Sequence, residues 1–148
     1  MTNPPAPFRV ARTVSWGDCD PALMIYTPRV FEYASEALEA FYRAIIGVTW
    51  FDLNWTMQMG APTVRVECDY IRALKPDMDV TIEIRVTRLG TSSVTYAMTC
   101  RDMDKGEDYF RVTYVTAYIQ RSDFKSTPIP ANFRERLVAY RAACGDKE

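Results

Sequence analysis

Histidine is absent from all 148 residues of the chain. That absence removes a Ser-His-Asp triad, a Cys-His dyad, a His-ligated zinc and every imidazole acid–base step. Chemistry here must rest on carboxylates, thiols, hydroxyls, amines or backbone dipoles. An excess of one charge is also lacking: 18 Lys and Arg stand against 19 Asp and Glu, a net charge of -1. There is thus no electrostatic case for a nucleic-acid partner. Cys19, Cys68, Cys100 and Cys144 are scattered with no C-x-x-C pair, which leaves a zinc ribbon or redox motif unsupported. No metal site is expected. No run approaches the roughly 18 apolar residues of a membrane span. Residues 1–5 (MTNPP) carry neither the basic nor the apolar region of a secretory leader. The expectation is a cytoplasmic protein with reduced thiols and no membrane partner.

What is present is a core. Hydrophobic residues make up 48% of the chain, and its length suits one compact domain, residues 1–148, with the proline-rich stretch 1–7 as a loose tail. From Phe8, apolar residues alternate through Val10, Val14 and Trp16, a strand pattern broken by Gly17, Asp18, Asp20 and Pro21. A helix is expected from Pro28 to Ile46. Thr27 suits its N-cap and Pro28 its first turn, Val30, Ala34, Ala37, Phe41, Ala44 and Ile45 form the apolar stripe, and Gly47 supplies the stop. Residues 48–60 form a connector rich in Trp, Phe and Met. Four strand-like runs follow, over 63–72, 80–88, 92–102 and 109–120. The last is apolar on both faces and so is expected centrally or at a subunit contact. A short helix over 133–143 closes the chain. The order β–α–β–β–β–β predicts an α+β fold: antiparallel hairpins make a curved sheet, and the long helix covers one face.

The motif GDCDPA at Gly17–Ala22, followed by the helix opening at Thr27 and Pro28, resembles the hotdog-fold acyl-CoA thioesterases of the 4-hydroxybenzoyl-CoA thioesterase branch. Gly60–Pro62, Lys75–Asp79 and Arg88–Ser93 are similar to further features of that family, so the likeness spans residues 8–120. It implies a hotdog fold, with a long central helix wrapped by a curved antiparallel sheet. The implied function is hydrolysis of an acyl- or aroyl-CoA to free acid and CoA, with no cofactor beyond the substrate's own CoA. It also implies a homo-oligomer, a dimer or a dimer of dimers such as a homotetramer, with the site across the subunit interface. By the resemblance Asp20 is the catalytic carboxylate, and the Thr27 backbone contributes to the oxyanion site. Tyr26, Arg88, Ser92 and Ser93 are the substrate-binding candidates.

Such chemistry needs no histidine. A carboxylate can attack a thioester carbonyl directly, giving a mixed anhydride, or it can activate a water. An oxyanion is well placed at backbone N–H groups near a helix N-terminus. Read without the resemblance, Asp20 is an Asx-turn residue and Asp18 a turn or hydrogen-bonding residue. Cys19, flanked by two carboxylates that raise its pKa, is assigned to packing. Glu36 is a second candidate carboxylate and otherwise a solvated helix-face residue. Lys75 is an alternative CoA anchor to Arg88, Ser92 and Ser93, all of which also read as ordinary turn or strand-end residues. Trp50, Phe51, Trp55, Met57 and Met59 read either as acyl-pocket lining or as core. Two positions depart from the family pattern: Leu23 stands where many relatives have Gly, and Arg29 where Asn is frequent. They favour the second reading, a non-catalytic acyl-CoA or acyl-carrier-protein binding protein.

Overall fold

A computed structural model of the chain describes residues 5–145. Alternation from Phe8 gives β1 (Phe8–Thr13), shorter than expected because the N–H groups of Asp18 and Cys19 bond back to Ser15 and Trp16 and pull the chain into a 3-10 turn. Trp16 therefore leaves the strand face and is exposed. Of the expected loose tail, residues 1–4 lie outside the described residues, and Ala6 packs against the core.

The helix α1 (Arg29–Phe41) begins one residue later than expected, with Pro28 in its cap position and no side chain capping it. The reason is a preceding tight turn, in which the N–H groups of Arg29 and Val30 reach the carbonyls of Tyr26 and Thr27. α1 buries Val30, Tyr33, Ala34, Ala37, Leu38 and Phe41, the spacing of one helical stripe. Beyond Phe41 the helix widens into a π turn, Tyr42–Ile46, marked by the Gly47 N–H reaching the Tyr42 carbonyl. The wider turn shifts the stripe by one residue. Tyr42 and Ile46 are buried, whereas Ala44 is exposed and Ile45 half-buried, contrary to the expected stripe. Gly47, with φ of 77°, ends the helix in the left-handed conformation that glycine adopts without cost.

The connector over 48–60 carries regular structure of its own. Residues 50–56 coil into a short helix, started by a reciprocal cap: the Asp52 N–H bonds Thr49 Oγ1, and Thr49 Oγ1 bonds the Asp52 carboxylate. Phe51, Trp55 and Met57 are exposed, whereas Leu53 and Met59 join the core. Then come β2 (Met59–Gly60), β3 (Thr63–Tyr70), β4 (Asp79–Leu89), β5 (Ser93–Asp102), β6 (Asp108–Ala117), β7 (Ile119–Gln120) and α2 (Ala131–Ala143).

Five strands form one antiparallel sheet in the order β1-β4-β5-β6-β3, and β2 pairs with β7. Register shifts in β3, β4 and at the end of β5 are irregularities of the kind that bend a sheet. The concave face presents Val80, Ile82, Ile84 and Val86 from β4, Val94, Tyr96, Met98 and Cys100 from β5, and Phe110, Val112 and Tyr114 from β6, all buried. α1 and the Phe133, Leu137 and Tyr140 side of α2 cover that face. Phe41 joins the layers through edge-to-face contacts with Phe8, Tyr96 and Tyr140, ring centroids 5.9, 5.7 and 5.0 Å apart.

The run over 63–72 behaves differently from the other strands. β3 is an edge strand, as is β1, but its side chains are exposed on both faces except Cys68, which is half-buried. β6, expected to be central or at a subunit contact, lies between β5 and β3.

Candidate active site

The GDCDPA segment folds into a tight hairpin. The Tyr26 N–H bonds the Asp18 carbonyl at 2.8 Å, Cys19 bridges to Ile25, and the Asp20 N–H bonds the Met24 carbonyl at 3.0 Å. Three residues, Pro21, Ala22 and Leu23, make its tip. A loop of this length combines a turn favouring Asp first and Pro second with one left-handed residue. Asp20 and Pro21 fill the first two positions as that geometry asks. Leu23 holds the left-handed place with φ of 59°, where a residue bearing a Cβ costs roughly 1–2 kcal/mol.

Pairing also fixes the faces. Side chains alternate along the hairpin, so Asp18, Asp20, Met24 and Tyr26 share one side, and Cys19 and Ile25 the other. Ile25 is buried and Cys19 packs against the core, in line with the packing role expected for Cys19. Burial, together with the charges of Asp18, Asp20 and Asp77, pushes the Cys19 thiol up, away from a reactive thiolate.

The two aspartates have different surroundings. Asp18 is buried. Its Oδ2 accepts the Tyr33 hydroxyl at 2.6 Å and the Ser15 hydroxyl at 3.0 Å, with Arg12 Nη2 at 3.7 Å. Burial disfavours its charge, but the Tyr33 and Ser15 hydrogen bonds and the Arg12 charge outweigh burial and hold its pKa below the usual carboxylate range. Asp20 is half-buried. Its Oδ1 accepts the Ala22 N–H at 2.8 Å, the Asx-turn contact, and among the described residues no hydrogen bond reaches Oδ2. One oxygen is thereby oriented while the other remains available to an incoming electrophile or water.

Thr27 follows the hairpin and precedes Pro28. Among the described residues its N–H donates to no backbone carbonyl, unlike those of Tyr26, Arg29, Val30 and Phe31. Its carbonyl accepts the Tyr70 hydroxyl at 3.0 Å, which ties the start of α1 to the edge strand. Tyr26 is 53% exposed beside it. Asp20, Tyr26 and Thr27 are thus gathered at one end of the sheet. Leu74, whose carbonyl accepts the Ile25 N–H, brings the exposed Lys75 to the same end.

Arg88, Ser92 and Ser93 lie elsewhere. Thr13 beside the hairpin pairs with Asp79 at the start of β4, whereas these three flank the turn after its end. At about 3.3 Å per residue the two ends of β4 are roughly 30 Å apart, so one chain does not bring them together. Arg134 of α2 holds that distant turn through the carbonyls of Gly90 and Thr91.

Sequence reading missed several neighbours. Arg12 lies over the Tyr33 ring at 3.6 Å and pairs with both Asp18 and Glu36. Glu36, a candidate carboxylate or else a solvated helix-face residue, is exposed but bound by that arginine. Phe31, Glu32, Ser35 and Glu36 border an open cavity of about 370 Å³ on the outward side of α1, and Ser35 Oγ is 2.9 Å from the Tyr114 hydroxyl. Arg29 pairs with Glu32 at 2.6 Å. Only GDCDPA left a local signal, because the other partners meet through strand register and helix pitch. Among the described residues, no cluster of three metal-ligating side chains occurs, and no helix is long and apolar enough to cross a membrane.

Residues 14–137 match the family model of the thioesterase-like superfamily. No protein of curated function matches by sequence. A thioesterase-superfamily structure from Jannaschia sp. CCS1 is 28% identical, with a TM-score of 0.83 over 94% of this chain and 96% of that one. A 1,4-dihydroxy-2-naphthoyl-CoA thioesterase from Synechocystis is 14% identical, with a TM-score of 0.83 over 88% and 95%. A Staphylococcus aureus protein solved in complex with CoA is 14% identical, with a TM-score of 0.85 over 92% and 84%.

Proposed function

Since the chain belongs to the thioesterase-like superfamily, and its fold is the hotdog fold of that superfamily's thioesterases, we propose that it is an acyl-CoA thioesterase with Asp20 as its catalytic carboxylate. The observation that carries this reading is the hairpin itself. It presents a carboxylate with one oxygen oriented by the Ala22 N–H and the other available, close in sequence to the Thr27 N–H, which has no partner among the described residues.

Either of two routes uses this arrangement. Asp20 attacks the thioester carbon, the C–S bond breaks to release CoA thiolate, and water hydrolyses the resulting anhydride. Alternatively Asp20 takes a proton from the attacking water, and the tetrahedral intermediate then expels the thiolate. In both, negative charge develops on the carbonyl oxygen, and the Thr27 N–H is the donor assigned to it. Tyr26 borders the acyl group.

Arg88, Ser92 and Ser93 sit too far from Asp20 in one chain to share its substrate. Their proposed role in holding CoA therefore requires a second subunit, consistent with a homo-oligomer. The open β3 edge supports that assembly: Val64, Val66 and Tyr70 are 60%, 40% and 50% exposed along a strand with unpaired backbone. A dimer through this edge, or a dimer of such dimers, is proposed. A cytoplasmic setting is also proposed, and it fits the four cysteines, all unpaired.

The test is thiol release by the unmodified protein across a panel of acyl- and aroyl-CoAs. Turnover of one member well above the uncatalysed rate supports the proposal. Tight binding without turnover supports the second reading, a non-catalytic acyl-CoA or acyl-carrier-protein binder, which the strained Leu23 and the ion-paired Arg29 favour.

A further inference from the structure

Leu23 is placed where its residue type fits badly. Among the described residues it is one of four non-glycine residues with positive φ, alongside Gln58, Asp77 and Phe124, and it alone lies in the hairpin of Asp20. Glycine would take that conformation without strain. The leucine side chain is 61% exposed, so core packing does not compensate for the strain. Its N–H bonds the Asp20 carbonyl at 2.9 Å, which holds Leu23 in the same tight turn as the candidate carboxylate. Met24, on the same face of the hairpin as Asp20, is 40% exposed. A strained backbone carrying an exposed apolar side chain at a site is a reason to look for its use outside the chain.

We propose that Leu23 is a specificity-determining residue: with Met24 it forms an apolar shelf at the carboxylate that takes the acyl group, selecting uncharged aliphatic acyl thioesters over short or charged ones. The inference rests on the reading of this hairpin as an acyl-CoA site. An aliphatic chain laid on Leu23 removes apolar surface of both partners from water. A second carboxylate on the acyl group would instead be desolvated near Asp20 and Asp18, with like charges facing it.

The experiment compares octanoyl-CoA, acetyl-CoA and succinyl-CoA on the unmodified protein, Leu23→Ala and Leu23→Gly, with sedimentation velocity on all three proteins. The unmodified protein is expected to show its highest kcat/KM with octanoyl-CoA. Both variants are expected to lower the octanoyl-to-acetyl ratio about tenfold, the scale of a lost hydrophobic contact. Alanine keeps the Cβ in the left-handed backbone and glycine relieves it. An effect shared by both therefore belongs to the side chain, and one confined to glycine would assign it to the backbone and overturn the proposal. An unchanged ratio in both variants, or a preference of the unmodified protein for succinyl-CoA, would also overturn it. So would dissociation of the assembly with the ratio intact, which would make Leu23 a subunit contact. If no thioester is hydrolysed, the catalytic reading fails and the same ratio is read from equilibrium binding of octanoyl-CoA and acetyl-CoA. A tenfold fall there supports the shelf, and an unchanged ratio or absence of binding overturns it.

Discussion

Two aspartates two residues apart hold different environments, and the difference separates structure from chemistry. Asp18 is enclosed by Tyr33, Ser15 and Arg12, and its own carbonyl holds the Tyr26 N–H. It anchors the hairpin. Tyr33→Phe leaves that buried carboxylate short of a donor and is expected to cost about 1–3 kcal/mol in urea unfolding. Asp20 has one directed hydrogen bond and an open oxygen. The turn that carries it was legible in the sequence, because Gly17, Asp18, Asp20 and Pro21 break a strand through local chemistry. The enclosure of Asp18 was not. Tyr33 lies 15 residues on, and Arg12 reaches it from β1, so only the packed fold makes them neighbours.

Among the elements, α1 was the most legible, because a long amphipathic stripe has few alternative readings. Its last turn was not. A π turn depends on which residue the sheet accommodates, and the switch from Ile45 to Ile46 is set by tertiary packing. Phe41 sits at the junction of α1, β1, β5 and α2 with none of its surface exposed. Phe41→Ala is expected to cost about 3–5 kcal/mol, measured by denaturant unfolding. At the helix end, a Cβ on Gly47 would lie 2.0 Å from Arg136 Nη1, the side chain that binds the Ile46 carbonyl. Gly47→Ala must displace that arginine and also hold a left-handed alanine. A loss of more than about 1 kcal/mol in the same measurement is expected. The helix over 50–56 was not legible although Thr49 and Asp52 carry its cap, because its Trp and Phe suit pocket lining or core without fixing a helical period.

Across the whole molecule, the convex sheet face holds a charged cluster. Glu83, buried, is bonded by Arg9 at 2.7 Å, Arg85 at 2.9 Å and Arg101 at 3.3 Å, and Asp108 by Arg101 at 2.7 Å and Arg111 at 2.5 Å. Burial opposes both charges, but hydrogen bonds and charge from the arginines prevail and hold the two carboxyls below their ordinary values of 4.5 and 3.8. The unfolded chain therefore takes up protons at higher pH than the folded one. Stability from this cluster is full above those ordinary values and is lost as pH falls through them to the depressed folded values. Unfolding free energy is expected to fall steadily below about pH 4.5, with a shallower fall in Glu83→Gln. The second large-scale feature, the exposed β3 edge, was hidden in sequence. Its alternation looks like that of the covered strands, and only its rank in the sheet order leaves it open. Val66→Lys places a charge on that edge and is expected to shift sedimentation toward the monomer.

The most direct measurement is the rate of CoA thiol release from the best thioester of the panel by the unmodified protein and by Asp20→Asn, with circular dichroism confirming that both fold alike. Loss of the carboxylate is predicted to lower kcat by at least about a hundredfold, the scale of a missing nucleophile or general base. Hydrolysis by Asp20→Asn at the parental rate would contradict the account, and the carboxylate of Glu36 would then be the one to replace.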